Sequence, residues 1–139
     1  MSRLWLGWIG LCVGCAGDSD STVDTGPPPD IRLITPSEGD TVCGTPFHLV
    51  VEVDHYSLIG FDQPESSVPG VGHVDIKLNG QNRWMTPDLD FEIPEVVDGV
   101  YLVEALLVDG EHHPIEPYVG DEAQVTVDAA ACTQGDTGT

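Results

Sequence analysis

Four of the five histidines lie close in sequence to acidic residues, and their side chains are the best suited to chemistry in this 139-residue chain. They are His55, His73, His112 and His113. Imidazole nitrogen and carboxylate oxygen are ligands that zinc and copper(II) favour, and neighbouring carboxylates also orient imidazoles. The residue types therefore indicate a candidate copper or zinc centre, in which Asp75 is a fifth candidate ligand.

Two other interpretations of these residues stay open. Histidines in acidic loops are often simply solvated, and His73 has a structural role if it only hydrogen-bonds a neighbouring loop and fixes its shape. Calcium binding by the acidic loops is the third interpretation, although the chain lacks a DxDxDG run or another compact set of oxygen ligands. Under the structural interpretation the protein needs no cofactor.

The first fifteen residues have the pattern of an export signal. Arg3 precedes the uncharged, mostly apolar run 4–14, which is too short for the roughly 20 residues that span a bilayer as a helix. Such a run fits the apolar region of a secretory signal, and small residues follow it. If the segment is not a lipoprotein signal, two alternatives remain. It is then a plain secretory signal cut near Ala16, or an apolar N-terminal core helix.

The sequence Val13-Gly14-Cys15 resembles the lipobox of bacterial lipoproteins, in which a small residue precedes a cysteine that becomes lipidated. Cys12 stands where that pattern usually has leucine. The resemblance implies that Cys15 carries a diacylglyceryl group and an amide-linked acyl chain, and several chains together give stable anchoring. Ala16 directly after the cysteine implies export to the outer membrane.

Beyond the signal, the chain divides into a linker, a patterned body and a tail. Residues 16–30 are rich in Asp, Ser, Thr and Pro and are predicted to be disordered, because they bury too little apolar surface to offset the entropy of ordering. Residues 133–139 form a similar flexible tail. In the body, 31–132, apolar and polar side chains alternate with a period of two, which predicts strands. The predicted strands are approximately 31–35, 46–54, 73–79, 82–85, 89–94, 100–108 and 122–128.

Two segments of the body resemble bacterial immunoglobulin-like domains. ITPSEGDTV at 34–42 is similar to the opening of such domains, and DGVYLVEA at 98–105 is similar to their penultimate strand, with Tyr101 at the place of a tyrosine corner. The resemblance implies an all-β fold, an immunoglobulin-like antiparallel sandwich of about seven strands. It implies little about function, because sandwiches host many roles.

A third segment carries a resemblance that concerns the histidines. GHVDIKLNG at 72–80 is similar to a segment of sandwich domains in predicted bacterial surface lipoproteins, where GHxHxxxDG precedes a loop of the form DxxHxP. The matching positions are His73 and His113. Asp75 stands where the second histidine of that pattern would be, and aspartate can also ligate a metal.

The immunoglobulin-like arrangement predicts that four of the histidines lie at one end of the sandwich and that two of the four cysteines lie at the other end. The end of the second predicted strand, the start of the third and the end of the sixth share one end, where the four histidines gather. Cys43 precedes the second strand and Cys132 follows the last, so both lie at the other end. An exported protein would join this pair as a disulfide, and two free thiols are the alternative.

The charge balance excludes several classes of function. Four basic residues against 24 acidic ones give a net charge of −20, which cannot build the basic surface that nucleic acid or anionic lipid requires.

The chain contains neither GxSxG nor HExxH, so we do not expect an enzyme. A paired-carboxylate glycosidase is not excluded by the number of acids, and a small hydrolase remains a distant third hypothesis.

The sequence therefore predicts a non-catalytic lipoprotein of the cell envelope, located in the outer membrane or at the cell surface. It would be anchored to the membrane through Cys15 and would display the immunoglobulin-like domain for adhesion, interaction or a structural role. Its partner would be a protein or another envelope component. The alternative is a surface or periplasmic copper- or zinc-binding protein that uses the histidine end of the sandwich.

Overall fold

The computed structural model describes residues 26–63 and 68–133, and within these ranges every regular element is a strand. None of the described residues belongs to a helix long and apolar enough to cross a membrane. The nine strands of this part of the chain are β1 (Asp30–Thr35), β2 (Thr41–Val42), β3 (Phe47–Asp54), β4 (Ser57–Leu58), β5 (Val71–Leu78), β6 (Gln81–Thr86), β7 (Asp90–Ile93), β8 (Gly99–Asp109) and β9 (Gly120–Val127).

The strands form two sheets that pack as a β-sandwich. The smaller sheet has three strands in the order β1-β3-β7, and both of its pairs are antiparallel. The larger sheet has six, in the order β2-β9-β8-β5-β4, and β6 also pairs with β5. Its centre is antiparallel, whereas β2 on β9 and β4 on β5 are short parallel pairs.

The core lies between the sheets because alternate residues of each strand are apolar. In β3, Leu49 and Val51 face the core while Glu52 faces solvent, and in β5 Val74 and Ile76 are fully buried. Burying each such side chain contributes about 1.5–3 kcal/mol relative to leaving it exposed. The alternation of apolar and polar residues that predicted the strands therefore also places their apolar side chains on the face that forms the core.

The larger sheet also buries side chains on the face that points away from the core. His73 and Asp75 lie there on β5, and they pair across the sheet with Val108 and Leu106 of β8. Leu106 and Val108 are fully buried and yet do not belong to the core cluster. We call these four residues the outer patch. Two of them, His73 and Asp75, are candidate metal ligands.

Cys43 and Cys132 meet at the end of the sandwich opposite the outer patch. Cys43 follows β2 and Cys132 follows β9, and they form a disulfide with 5.3 Å between their Cα atoms. At the base of β8, the Tyr101 hydroxyl donates a hydrogen bond of 2.7 Å to the carbonyl oxygen of Val97. This is the geometry of a tyrosine corner.

Each of the seven predicted strands is present, and β2 and β4 are additional. Those two have two residues each, which is too short for alternation to signal them. The predicted linker ends one residue too late, because Asp30 begins β1 and pairs with Asp54. The predicted signal peptide, lipidation at Cys15, the linker up to residue 25 and the tail beyond residue 133 lie outside the described residues.

Candidate functional site

The five predicted metal ligands do not form one cluster. His73, Asp75 and His112 meet on the outer face of the larger sheet, whereas His113 belongs to an exposed turn and His55 lines a separate groove. The shared end of the sandwich that the sequence predicts for the histidines does not bring all of these side chains into one group. The physical reason is local: alternation along β5 brings two of them to one face, but the adjacent residues His112 and His113 have different neighbours.

His73 is the most unusual of these residues because it is a buried imidazole. Its side chain is 3% exposed, and its ring contacts the rings of Phe61, at 4.9 Å between centroids, and His112, at 5.3 Å. Nδ1 of His73 is buried and has no hydrogen-bond partner among the described residues. Leaving a buried polar atom unsatisfied costs about 1–3 kcal/mol.

Asp75 lies two positions further along the same face of β5 and is 6% exposed. Its carboxylate accepts a hydrogen bond of 3.4 Å from the Asn82 side-chain amide. Burial raises the pKa of Asp75, and the positive charges that His112, Lys77 and His73 can carry offset part of this rise. Lys77 has a nearer partner, since its ammonium lies 3.3 Å from the Glu104 carboxylate.

His112 reaches the outer patch from the loop that follows β8. Its backbone has a φ of 70°, a left-handed conformation that is uncommon for a residue other than glycine. Its N–H donates to the carbonyl oxygen of Asp109 at 3.0 Å, which holds the loop in a turn. The exposed His112 and the buried Asp75 line one concavity of about 320 Å³. Its other lining residues are Asn82, Arg83, Trp84 and Met85.

The turn that follows β8 brings together a second group of ligand types. Asp109, Glu111 and His113 each offer one ligand atom within 4.8 Å of the others, the one such group of three in the described part of the chain. Although burial raises the pKa of Asp109, hydrogen bonds from the backbone N–H groups of His113 and Glu111 bring it below its ordinary value. Of this group, the sequence analysis named His113 as a candidate ligand.

His55 lies in a groove beside the N-terminal end of the described chain. Its φ is 56°, and it lines a groove of about 940 Å³ together with Pro27–Pro29 and Tyr56. The Tyr56 hydroxyl is shared between the carbonyl oxygens of Val71, at 3.0 Å, and Val108, at 2.8 Å. Burial and the nearby Asp109 carboxylate raise the pKa of Tyr56 to about 12. This tyrosine therefore stays protonated and ties β5 to β8.

The fifth histidine, His48, lies on the solvent face of the smaller sheet. Its Nδ1 is 2.7 Å from the Asp90 carboxylate, and its Nε2 is 3.9 Å from Glu92. The hydrogen bond with Asp90 is the main reason that the pKa of His48 is raised. All these groups are exposed, so the arrangement is a solvated ion pair rather than a binding cavity.

The outer patch is the part of the described chain where ligand types, burial and a concavity coincide. Together with His112 it offers two imidazoles and one carboxylate, a donor set suited to zinc or copper(II) and poorly suited to calcium. Comparison with models of protein families, with curated proteins and with solved structures finds no match.

Proposed function

We propose that this protein is a lipid-anchored, non-catalytic protein of the cell surface that displays one immunoglobulin-like sandwich as a binding or structural module. The strand pairing is the observation that supports the immunoglobulin-like part of this proposal. β1, β3 and β7 correspond to strands A, B and E of an immunoglobulin fold, and β5, β8 and β9 correspond to C, F and G. The hydrogen bond of Tyr101 with Val97 supports the same assignment.

Export is supported by the disulfide between Cys43 and Cys132. Such bonds persist in oxidising compartments and are rare in the cytosol of most organisms. The lipobox-like Val13-Gly14-Cys15 adds a means of anchoring after export. A disulfide and a lipobox-like segment in one chain together favour an exported, membrane-anchored module.

The position of the N-terminus suggests how the module would be displayed. β1 begins at Asp30, opposite Asp54 at the end of β3, whereas the disulfide lies near the start of β3. A lipid at Cys15 would therefore hold the outer-patch end nearer to the membrane and leave the disulfide end farther away. The chain from Cys15 to Gly26 reaches at most roughly 40 Å when extended.

A binding role is supported by apolar side chains that face solvent on the larger sheet. Val100 and Leu102 lie two positions apart on β8 and point away from the core, with exposures of 56% and 40%. Neighbouring exposed apolar side chains are a usual component of contact surfaces between proteins. The proposal that the module is non-catalytic rests on the sequence, which has neither of the hydrolase motifs named above.

Metabolic labelling with an alkyne analogue of palmitate tests the anchor in cells that express the full chain. We expect the label on the wild-type protein and on the matched control Cys12→Ser, and no label on Cys15→Ser, which should leave the membrane fraction. Protease added to intact cells should digest the wild-type protein. An unlabelled wild-type protein, or one that resists protease until the cells are lysed, would contradict the proposal.

A further inference from the structure

Two buried polar groups on one face of β5 lack the partners that their burial demands. His73 presents an unpartnered Nδ1, and Asp75 has a carboxylate whose described hydrogen bond is a long one from a neutral amide. Buried carboxylates are normally paired with a positive charge or bound to a metal. Lys77, the nearest cation along the strand, is engaged with Glu104. Both groups would be satisfied by the same thing, a cation held on the outer face.

A third donor is available from outside the sheet. His112 stacks on the His73 ring with an interplanar angle of 25° and lines the same concavity as Asp75. Its left-handed backbone conformation costs about 1–3 kcal/mol, so the fold maintains an unfavourable conformation where it brings this ring against the outer patch. His112 is exposed to solvent.

We propose that His73, Asp75 and His112 bind one divalent transition-metal ion, of the zinc or copper(II) class, on the outer face of the larger sheet. Two nitrogen donors and one oxygen donor match the preference of these ions, and solvent can supply a fourth ligand through the concavity. The three donor atoms do not all lie within 4.8 Å of one another in this structure. Binding therefore includes a rotation of the exposed His112 ring toward Nδ1 of His73.

The site does not depend on the proposed display function, because neither the anchor nor a protein partner contributes a ligand. It is also separate from the group formed by Asp109, Glu111 and His113, whose members are partly or fully exposed. That group lacks a buried, unpartnered donor. His113 therefore provides the matched control for His112, since the two are adjacent, exposed and chemically identical.

The test is titration calorimetry with zinc chloride on the full chain in mild detergent, with the Cys43–Cys132 disulfide intact. Cys12 and Cys15 are replaced by serine in every sample, because free thiols would bind zinc themselves. We expect one zinc ion per chain, and we expect calcium chloride at the same concentration to give no binding heat. Asp75→Asn and His112→Gln should each weaken zinc binding by about tenfold or more. His113→Gln should leave the affinity unchanged.

A second measurement separates loss of binding from loss of folding. In ¹⁵N spectra of the imidazoles, zinc should shift the Nδ1 resonance of His73 in the parent protein. The same resonance should stay unshifted in His112→Gln, a variant that we expect to fold because His112 is exposed. The proposal is overturned if zinc gives no stoichiometric heat. It is equally overturned if His113→Gln removes binding while His112→Gln does not, because the ion would then sit on the exposed turn.

Discussion

Gly72 occupies the tightest position next to the outer patch, and replacing it with alanine provides a sharp test of the packing. Gly72 lies in β5 opposite Asp109 of β8 and beside Leu58 of β4. A methyl group at this position would lie 1.9 Å from the carbonyl oxygen of Val108 and 2.5 Å from the hydroxyl oxygen of Tyr56. Both distances are far below van der Waals contact, and the first involves backbone that cannot move without opening the sheet.

The cost of Gly72→Ala follows from two terms. Forcing an extra methyl group into a packed interior costs about 1–3 kcal/mol. Displacing the Tyr56 hydroxyl from the carbonyl oxygen of Val108 removes a hydrogen bond worth about 0.5–1.5 kcal/mol. We therefore expect a loss of about 1.5–4.5 kcal/mol in the free energy of unfolding, which lowers the melting temperature by roughly 6–36 °C.

Urea denaturation of the full chain measures this effect. The midpoint should fall for Gly72→Ala while the slope stays the same. Gly26→Ala is the matched control, because a methyl group there meets no heavy atom within 4 Å, and its effect should stay within about 0.5 kcal/mol. Adding Tyr56→Phe to Gly72→Ala relieves the contact with the hydroxyl and leaves the contact with Val108, so stability should recover only in part. Equal midpoints for Gly72→Ala and Gly26→Ala would refute the packing.

Three further predictions concern other parts of the fold. Replacing both Cys43 and Cys132 by serine opens a loop with a sequence separation of 89 and should lower the free energy of unfolding by about 4–5 kcal/mol in urea denaturation; an unchanged midpoint would contradict the role of the disulfide. NMR titration should give His48 a pKa above the ordinary histidine value of about 6.5, and Asp90→Asn should lower it toward that value. Because folding raises the pKa of His48, the stabilisation by its ion pair with Asp90 is full below about pH 6.5 and is lost as the pH rises through the folded pKa. A stability difference between wild type and Asp90→Asn that grows with pH would contradict this prediction. Leu106→Ala should cost about 2–5 kcal/mol despite its place outside the core cluster, and a cost near zero would show that the outer patch is not packed.

The main strands could be predicted from the sequence because burial on one face leaves a period of two. β3 shows this directly, since Leu49 and Val51 are buried and Glu52 is exposed. The partnership of Cys43 and Cys132 followed from the positions of both residues at one end of that arrangement. The two-residue strands β2 and β4 could not be predicted, because they arise from pairing with β9 and β5 and not from a pattern of their own.

The grouping of the histidines could be predicted only in part. Alternation along β5 requires His73 and Asp75 to share a face, and the sequence contains that information. The separation of His112 from His113 depends on a turn closed by Asp109, whose carboxylate accepts hydrogen bonds from the N–H groups of Glu111 and His113. The ring of His73 is covered in part by Phe61, from the irregular segment between β4 and β5. Neither contact leaves a periodic signal.

The most direct test of the central proposal, a lipid-anchored surface module, is mass spectrometry of the N-terminal peptide from protein isolated from membranes. The proposal predicts that the peptide begins at Cys15 and carries the mass of a diacylglyceryl group and an amide-linked acyl chain. A peptide that begins at Ala16 or later without added lipid mass would contradict it, as would an uncleaved N-terminus that retains Arg3.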